Sequence, residues 1–235
     1  MTEQIRRTSA RIAAILIFSI AMAWVESATV AYLRTLVHRV DPYQLAPLPI
    51  AASFGSVEII REAATLAMLA AVGWLAGISA KSRLGFFLIS FGIWDIFYYL
   101  FLKIIVGWPH TIFDWDVLFL IPLPWWGPVL SPILVSLVLI VIGTFLQRSN
   151  TGDAKANAGR FSWVLSFCGM ILALVVFLDH SLQALLKGSG AVTEELPAHF
   201  NWMVFILSLL LMLTPVFAWG IRSVKTDKGN GGRDS

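Results

Sequence analysis

Six apolar runs, at 12–33, 57–79, 84–106, 129–146, 161–186 and 200–221, divide the chain. Each is close to the roughly 20 residues a helix needs to cross a hydrocarbon core. None alternates apolar with polar residues as the strands of a membrane barrel do. Leu, Ile, Val, Phe and Ala fill them, and in lipid a helix satisfies its own backbone groups. The pattern predicts an all-α, polytopic membrane protein. A single six-transmembrane-helix domain is expected over residues 1–221, followed by a disordered cytoplasmic tail at 222–235. Gly55-Ser56 should precede the second helix, with Ser56 as its N-cap. Pro215 should kink the sixth.

One stretch fits neither a span nor an ordinary loop. Residues 107–128 hold Pro109, Pro122, Pro124 and Pro128, too many for a full crossing, yet are mostly apolar. We read a short interfacial or re-entrant segment between helices 3 and 4, a lid over the bundle. Its Trp108, Trp115, Trp125 and Trp126 suit an aromatic belt at the membrane surface. His110, Asp114 and Asp116 are its polar groups, and the first two would share a face if the segment were helical.

Composition agrees with this picture. The 235 residues are 58% hydrophobic and 13% charged, so few charges are left to place. The basic residues sort by side. Twelve of the 17 Lys and Arg fall at the N-terminus, in the loops after helices 2 and 4, and in the tail, against three on the opposite side (Arg34, Arg39, Lys187). That bias puts both termini in the cytoplasm and the protein in a plasma (inner) membrane. The net charge of +3 reflects this sorting, and no nucleic-acid partner is expected. Cys168 is the one cysteine, which excludes an internal disulfide and a Cys-based metal site. The first run is too long for a signal-peptide core and carries Glu26, so it is kept as a mature helix.

The remaining charges are concentrated. Glu58, Arg61 and Glu62 open the second run, with both carboxylates on one helical face and the guanidinium within reach of either. If the helix starts at Ser56, its dipole favours these anions. Glu26 lies in the outer half of the first helix. Asp95, Tyr99 and Lys103 make a stripe on the third, and Asp179, Gln183 and Lys187 another on the fifth, with His180 beside it. His199 stands at the start of the sixth. Ionised groups at membrane depth cost about 2.5–3.5 kcal/mol each on insertion scales and mark functional sites by default. Threading six crossings brings these groups to one outer end.

Carboxylates with imidazoles are ligands for Fe or Zn. Glu58, Glu62, Asp179, His180 and His199 are the expected metal set. Glu26 or Asp95 would complete the shell or act as a base, and Arg61 or Lys103 would hold a polar substrate group. No Glu-x-x-His pair, His-Glu-x-x-His motif, phosphate loop or nucleophile elbow is present, so the metal reading rests on residue type and depth alone. The function expected is a membrane enzyme acting on a hydrophobic or amphipathic substrate, with membrane lipid as its surroundings. Two alternatives stand beside it: a proton- or ion-coupled transporter, and a non-catalytic subunit or assembly factor whose buried charges tie helices together.

Overall fold

A computed structural model describes residues 2–36, 40–43, 52–150, 158–186 and 197–221. Helices dominate: α1 (Thr2–Leu36), α2 (Ala52–Ala76), α3 (Ala80–Val106), α4 (Leu130–Asn150), α5 (Arg160–Leu186), α6 (Trp202–Met212) and α7 (Thr214–Ile221). Five are long and apolar enough to cross a membrane, and α6 with α7 makes a sixth crossing if the bent pair counts as one. The expected all-α bundle is therefore the observed one. The tail at 222–235, Arg39 and Lys187 lie outside the described residues.

The sixth crossing bends by 48° between Met212 and Thr214. Pro215 explains it. Proline has no N–H for the carbonyl four residues back, Leu211, and its ring crowds that carbonyl. The Thr214 hydroxyl lies 2.7 Å from the Leu211 oxygen and 2.9 Å from the Ser162 carbonyl on α5, sharing its one proton between them. The neighbouring Met212 carbonyl accepts a hydrogen bond from Ser166 on α5 at 2.8 Å. The break is thus sealed, which an apolar surrounding requires.

Helix α2 departs from expectation at its start. It begins at Ala52, and its first turn holds no acidic residue. Ser56 is inside the helix and is not its N-cap, so Glu58 and Glu62 owe nothing to a first-turn dipole. Ser79 does cap α3, accepting from the Ser82 amide at 3.2 Å, and Gly107 ends that helix in the left-handed region, at φ 76°.

Small residues set the close seams. On the α3–α4 seam, a Cβ at Gly143 would stand 2.6 Å from the Gly85 carbonyl oxygen, and one at Gly92 2.6 Å from that of Ser136. Gly169 brings α5 equally close to the Ser208 carbonyl on α6. Such backbone approach is the usual source of helix association in lipid, where apolar side chains gain little by leaving acyl chains. Serines add hydrogen bonds across the seams: Ser19 with Ser90 at 2.7 Å, Ser27 to the Tyr98 carbonyl at 2.9 Å, and Ser82 with Gln147 at 2.9 Å. Large apolar side chains meanwhile point outward, among them Ile17, Leu75, Leu186 and Met203. That surface suits acyl chains and not water.

Between α3 and α4 the chain forms an antiparallel hairpin, β1 (Trp115–Val117) with β2 (Trp126–Pro128), in the register Asp116 opposite Gly127. The expected lid is thus an extended element. His110 and Asp114 share a turn and no helical face: the Asp114 carboxylate accepts from the His110 amide at 2.6 Å and from the Thr111 hydroxyl at 2.7 Å. Trp108 and Trp126 are not surface-belt residues. Trp108 is wholly buried among Val30, Ala31, Tyr99, Leu102 and Val129, and Trp126 is 5% exposed.

Gly143→Leu should lower the thermal unfolding midpoint in detergent, because overpacking a tight seam costs about 1–3 kcal/mol. Gly220→Leu, where a Cβ meets nothing within 4 Å, should leave the midpoint unchanged.

Candidate functional site

Three polar groups and one cavity lie at the hairpin end of the bundle. The first group joins α1 to α2. Arg61 places Nε and Nη2 on Glu58 Oε2, at 2.9 and 2.7 Å, one helical turn away. Its Nη1 pairs with Glu26 across the seam. The other Glu26 oxygen accepts from the Thr65 hydroxyl at 3.1 Å. Glu26 and Thr65 are both buried, so the guanidinium bridges two helices where water is scarce.

The second group ties the hairpin to α2. Both Glu62 carboxylate oxygens accept from the Leu120 amide, at 3.1 and 3.0 Å. Leu120 lies in the hairpin loop, whose amides have no helix to satisfy them. A carboxylate from a neighbouring helix supplies the missing acceptor.

The third group sits beneath the hairpin. Arg34, in the last turn of α1, donates from Nη2 to Asp116 Oδ1 at 2.7 Å, and Tyr99 of α3 donates to Oδ2 at 3.2 Å. Asp116 is 1% exposed and the Arg34 side chain 12%. The guanidinium also lies 4.4 Å from the ring centroid of Trp108, over its face. Burial pushes the Asp116 carboxyl above its ordinary range, while Arg34, the Tyr99 hydroxyl and the Val117 amide pull it back. On the hairpin's surface Asp114 moves the other way. Its slight desolvation is outweighed by the Thr111 hydroxyl and by the His110 and Thr111 amides, which favour the anion.

The sequence pattern located most of these groups but not their partners. Asp95 accepts from Ser136 on α4 at 2.8 Å, and Tyr99 turns to Asp116, so the α3 stripe serves two separate neighbours. Lys103 is exposed and donates to the Gly107 carbonyl at 3.1 Å, closing the end of its own helix. In the sequence Arg34 falls just past the first apolar run, and Asp116 is one polar lid residue among three. Neither had a local signal of pairing, since 82 positions separate them.

The expected metal set does not assemble. Glu58 and Glu62 stand on α2, which among the described residues packs against α1 and α3 and not against α5 or α6. Asp179, His180 and His199 line a different space, a cavity of about 130 Å³ between the hairpin and the facing ends of α5 and α6. Among the described residues no group of three or more His, Cys, Asp or Glu is placed to hold a metal ion. The cavity is walled by Trp115, Trp126, Phe177 and Phe200. Ser181 of α5 fixes its hairpin side by donating to the Pro124 carbonyl at 2.6 Å.

No family model, curated protein or solved structure matches this chain.

Asp116→Ala should destabilise the protein by about 3–5 kcal/mol, because it leaves a buried guanidinium without its anion. The double variant Arg34→Met/Asp116→Leu should lose less; thermal unfolding of both measures the difference. The Asp114 turn has an acid dependence of defined sign. A lowered folded pKa contributes stability that is complete above the ordinary aspartate range and is lost as pH falls through the folded value. The protection factor of the His110 amide, the intrinsic exchange rate at the same pH over the observed one, should therefore fall in acid, and that dependence should vanish in Asp114→Asn.

Proposed function

We propose that this is a binding protein of the plasma (inner) membrane, holding an amphipathic ligand whose polar end occupies the cavity beside the hairpin. In this reading both termini are cytoplasmic and the cavity faces outward, following the distribution of basic residues. The intramembrane charges latch the fold. They are structural groups and not reactants.

The observation that carries the reading is the division of the polar residues into two sets. On the α1–α2–α3 side the carboxylates are engaged within the chain: Glu26 and Glu58 with Arg61, Glu62 with the Leu120 amide, Asp116 with Arg34 and Tyr99. On the α5–α6 side polar side chains instead line a space that is open and flanked by exposed apolar residues. A cavity of mixed lining with a few convergent polar groups is the usual form of a small-molecule site. The amphipathic ligand of the sequence reading is kept. Glu26, Asp95, Arg61 and Lys103, expected to be catalytic, become structural.

The carrier alternative gains nothing from the bent crossing. Transporters use broken helices whose freed backbone groups meet substrate or ion. Here the Met212 carbonyl is taken by Ser166, and the Thr214 hydroxyl lies within hydrogen-bond distance of the Leu211 carbonyl.

Val204 lines the cavity from α6. Val204→Trp should fill it and cut the amphiphile retained through purification at least fivefold. Mass spectrometry of extracted ligand, normalised to protein, reads the effect. Equal retention by both proteins would overturn the reading.

A further inference from the structure

The cavity that receives the polar end of the amphiphile has walls of a particular kind. Trp115 and Phe200 meet at 80° with centroids 6.1 Å apart, and Trp126 and His180 at 83° and 6.4 Å. Phe177 closes the angle against Phe200 at 6.0 Å. Trp115 is backed by Tyr43, stacked at 6.1 Å and 22°, so this wall is held from behind. Ring planes at right angles around a small space form a box. The faces of aromatic rings are electron-rich and attract cations.

Charge points the same way. Asp179 lines the cavity with His180, His199 and Asn201, and no Lys or Arg among the described residues does. Its hydrogen-bond donor is the neutral Gln183 amide at 2.9 Å, and no Lys or Arg among the described residues forms an ion pair with it. A carboxylate at the rim of an aromatic box selects for positive charge. The start of α6 faces the same space and would favour an anion, but Asn201 Oδ1 already occupies the Val204 amide there.

Size and surroundings narrow the ligand further. About 130 Å³ is of the order of a cavity that accepts one benzene. It suits a head of about that size. Val175 both lines the cavity and is 47% exposed, and Ile171, one turn away on α5, is 44% exposed. An attached chain would leave the cavity along this apolar flank.

Building on the binding reading above, we propose that the cavity recognises an organic ammonium group, carried by a lipid headgroup or by a soluble amine. The test uses purified full-length protein in nanodiscs made of phosphatidylglycerol. Binding of choline is compared with that of 3,3-dimethyl-1-butanol, its uncharged isostere. Choline should bind at least tenfold more tightly. Asp179→Asn, an exposed position that leaves the bundle intact, should remove most of that preference, and Trp115→Leu should remove the rest. Dihexanoylphosphatidylcholine binding more tightly than choline, with the gain lost in Val175→Asp, would identify a lipid as the source. Equal affinity for the two would identify a soluble amine. Equal binding of choline and its isostere would overturn the ammonium assignment while leaving the amphiphile retained through purification untouched. Competition by inorganic phosphate and not by choline would overturn it in favour of an anion. Equal amphiphile retention by the unaltered protein and Val204→Trp would instead end the reading beneath it.

Discussion

A hairpin at the end of an apolar bundle has backbone groups that no helix satisfies, and its attachment governs the rest of this structure. The Arg34–Asp116 pair is the centre of that attachment. It joins the last turn of α1 to β1, and Tyr99 adds α3 to the same carboxylate. Glu62 brings in α2 through the Leu120 amide, and Ser181 brings in α5 through the Pro124 carbonyl. Four helices therefore hold one hairpin by polar contacts that are short and largely shielded from water. In a low-dielectric setting each is costly to leave unmade, which is why they specify position as well as contribute stability.

The rest of the bundle is assembled by a different force. Apolar side chains gain little by leaving lipid for protein, so the seams rely on backbone approach at Gly85, Gly92, Gly143 and Gly169 and on serine hydrogen bonds. Packing lines the helices up, and the charges fix which ends meet. Arg61 illustrates the second role. It bridges Glu26 on α1 and Glu58 on α2 at the level where Glu62 receives the hairpin.

This division also locates the space available to a ligand. Polar groups engaged in latching have their hydrogen-bonding capacity taken up within the chain. The cavity opens on the other side of the hairpin, where α5 and α6 end, and Trp115 and Trp126 form its hairpin wall. The same element thus seals one half of the bundle and shapes the site in the other.

Crossing number and the bend near Pro215 were legible from local pattern, because apolar length and a missing amide are properties of the chain itself, whereas α1 begins ten residues ahead of its apolar run. The gathering of ionisable residues at one end was legible too, since alternating crossings place late and early residues together. What the spacing of Glu58, Glu62, Asp179, His180 and His199 could not disclose was their separation. Depth is set by sequence position, but azimuth around the bundle is set by which helices pack, and α2 packs away from α5. The start of α2, the hairpin and the Arg34–Asp116 pair were likewise decided by tertiary structure. Each depends on a partner distant in the chain, and no local preference encodes a contact across 82 residues.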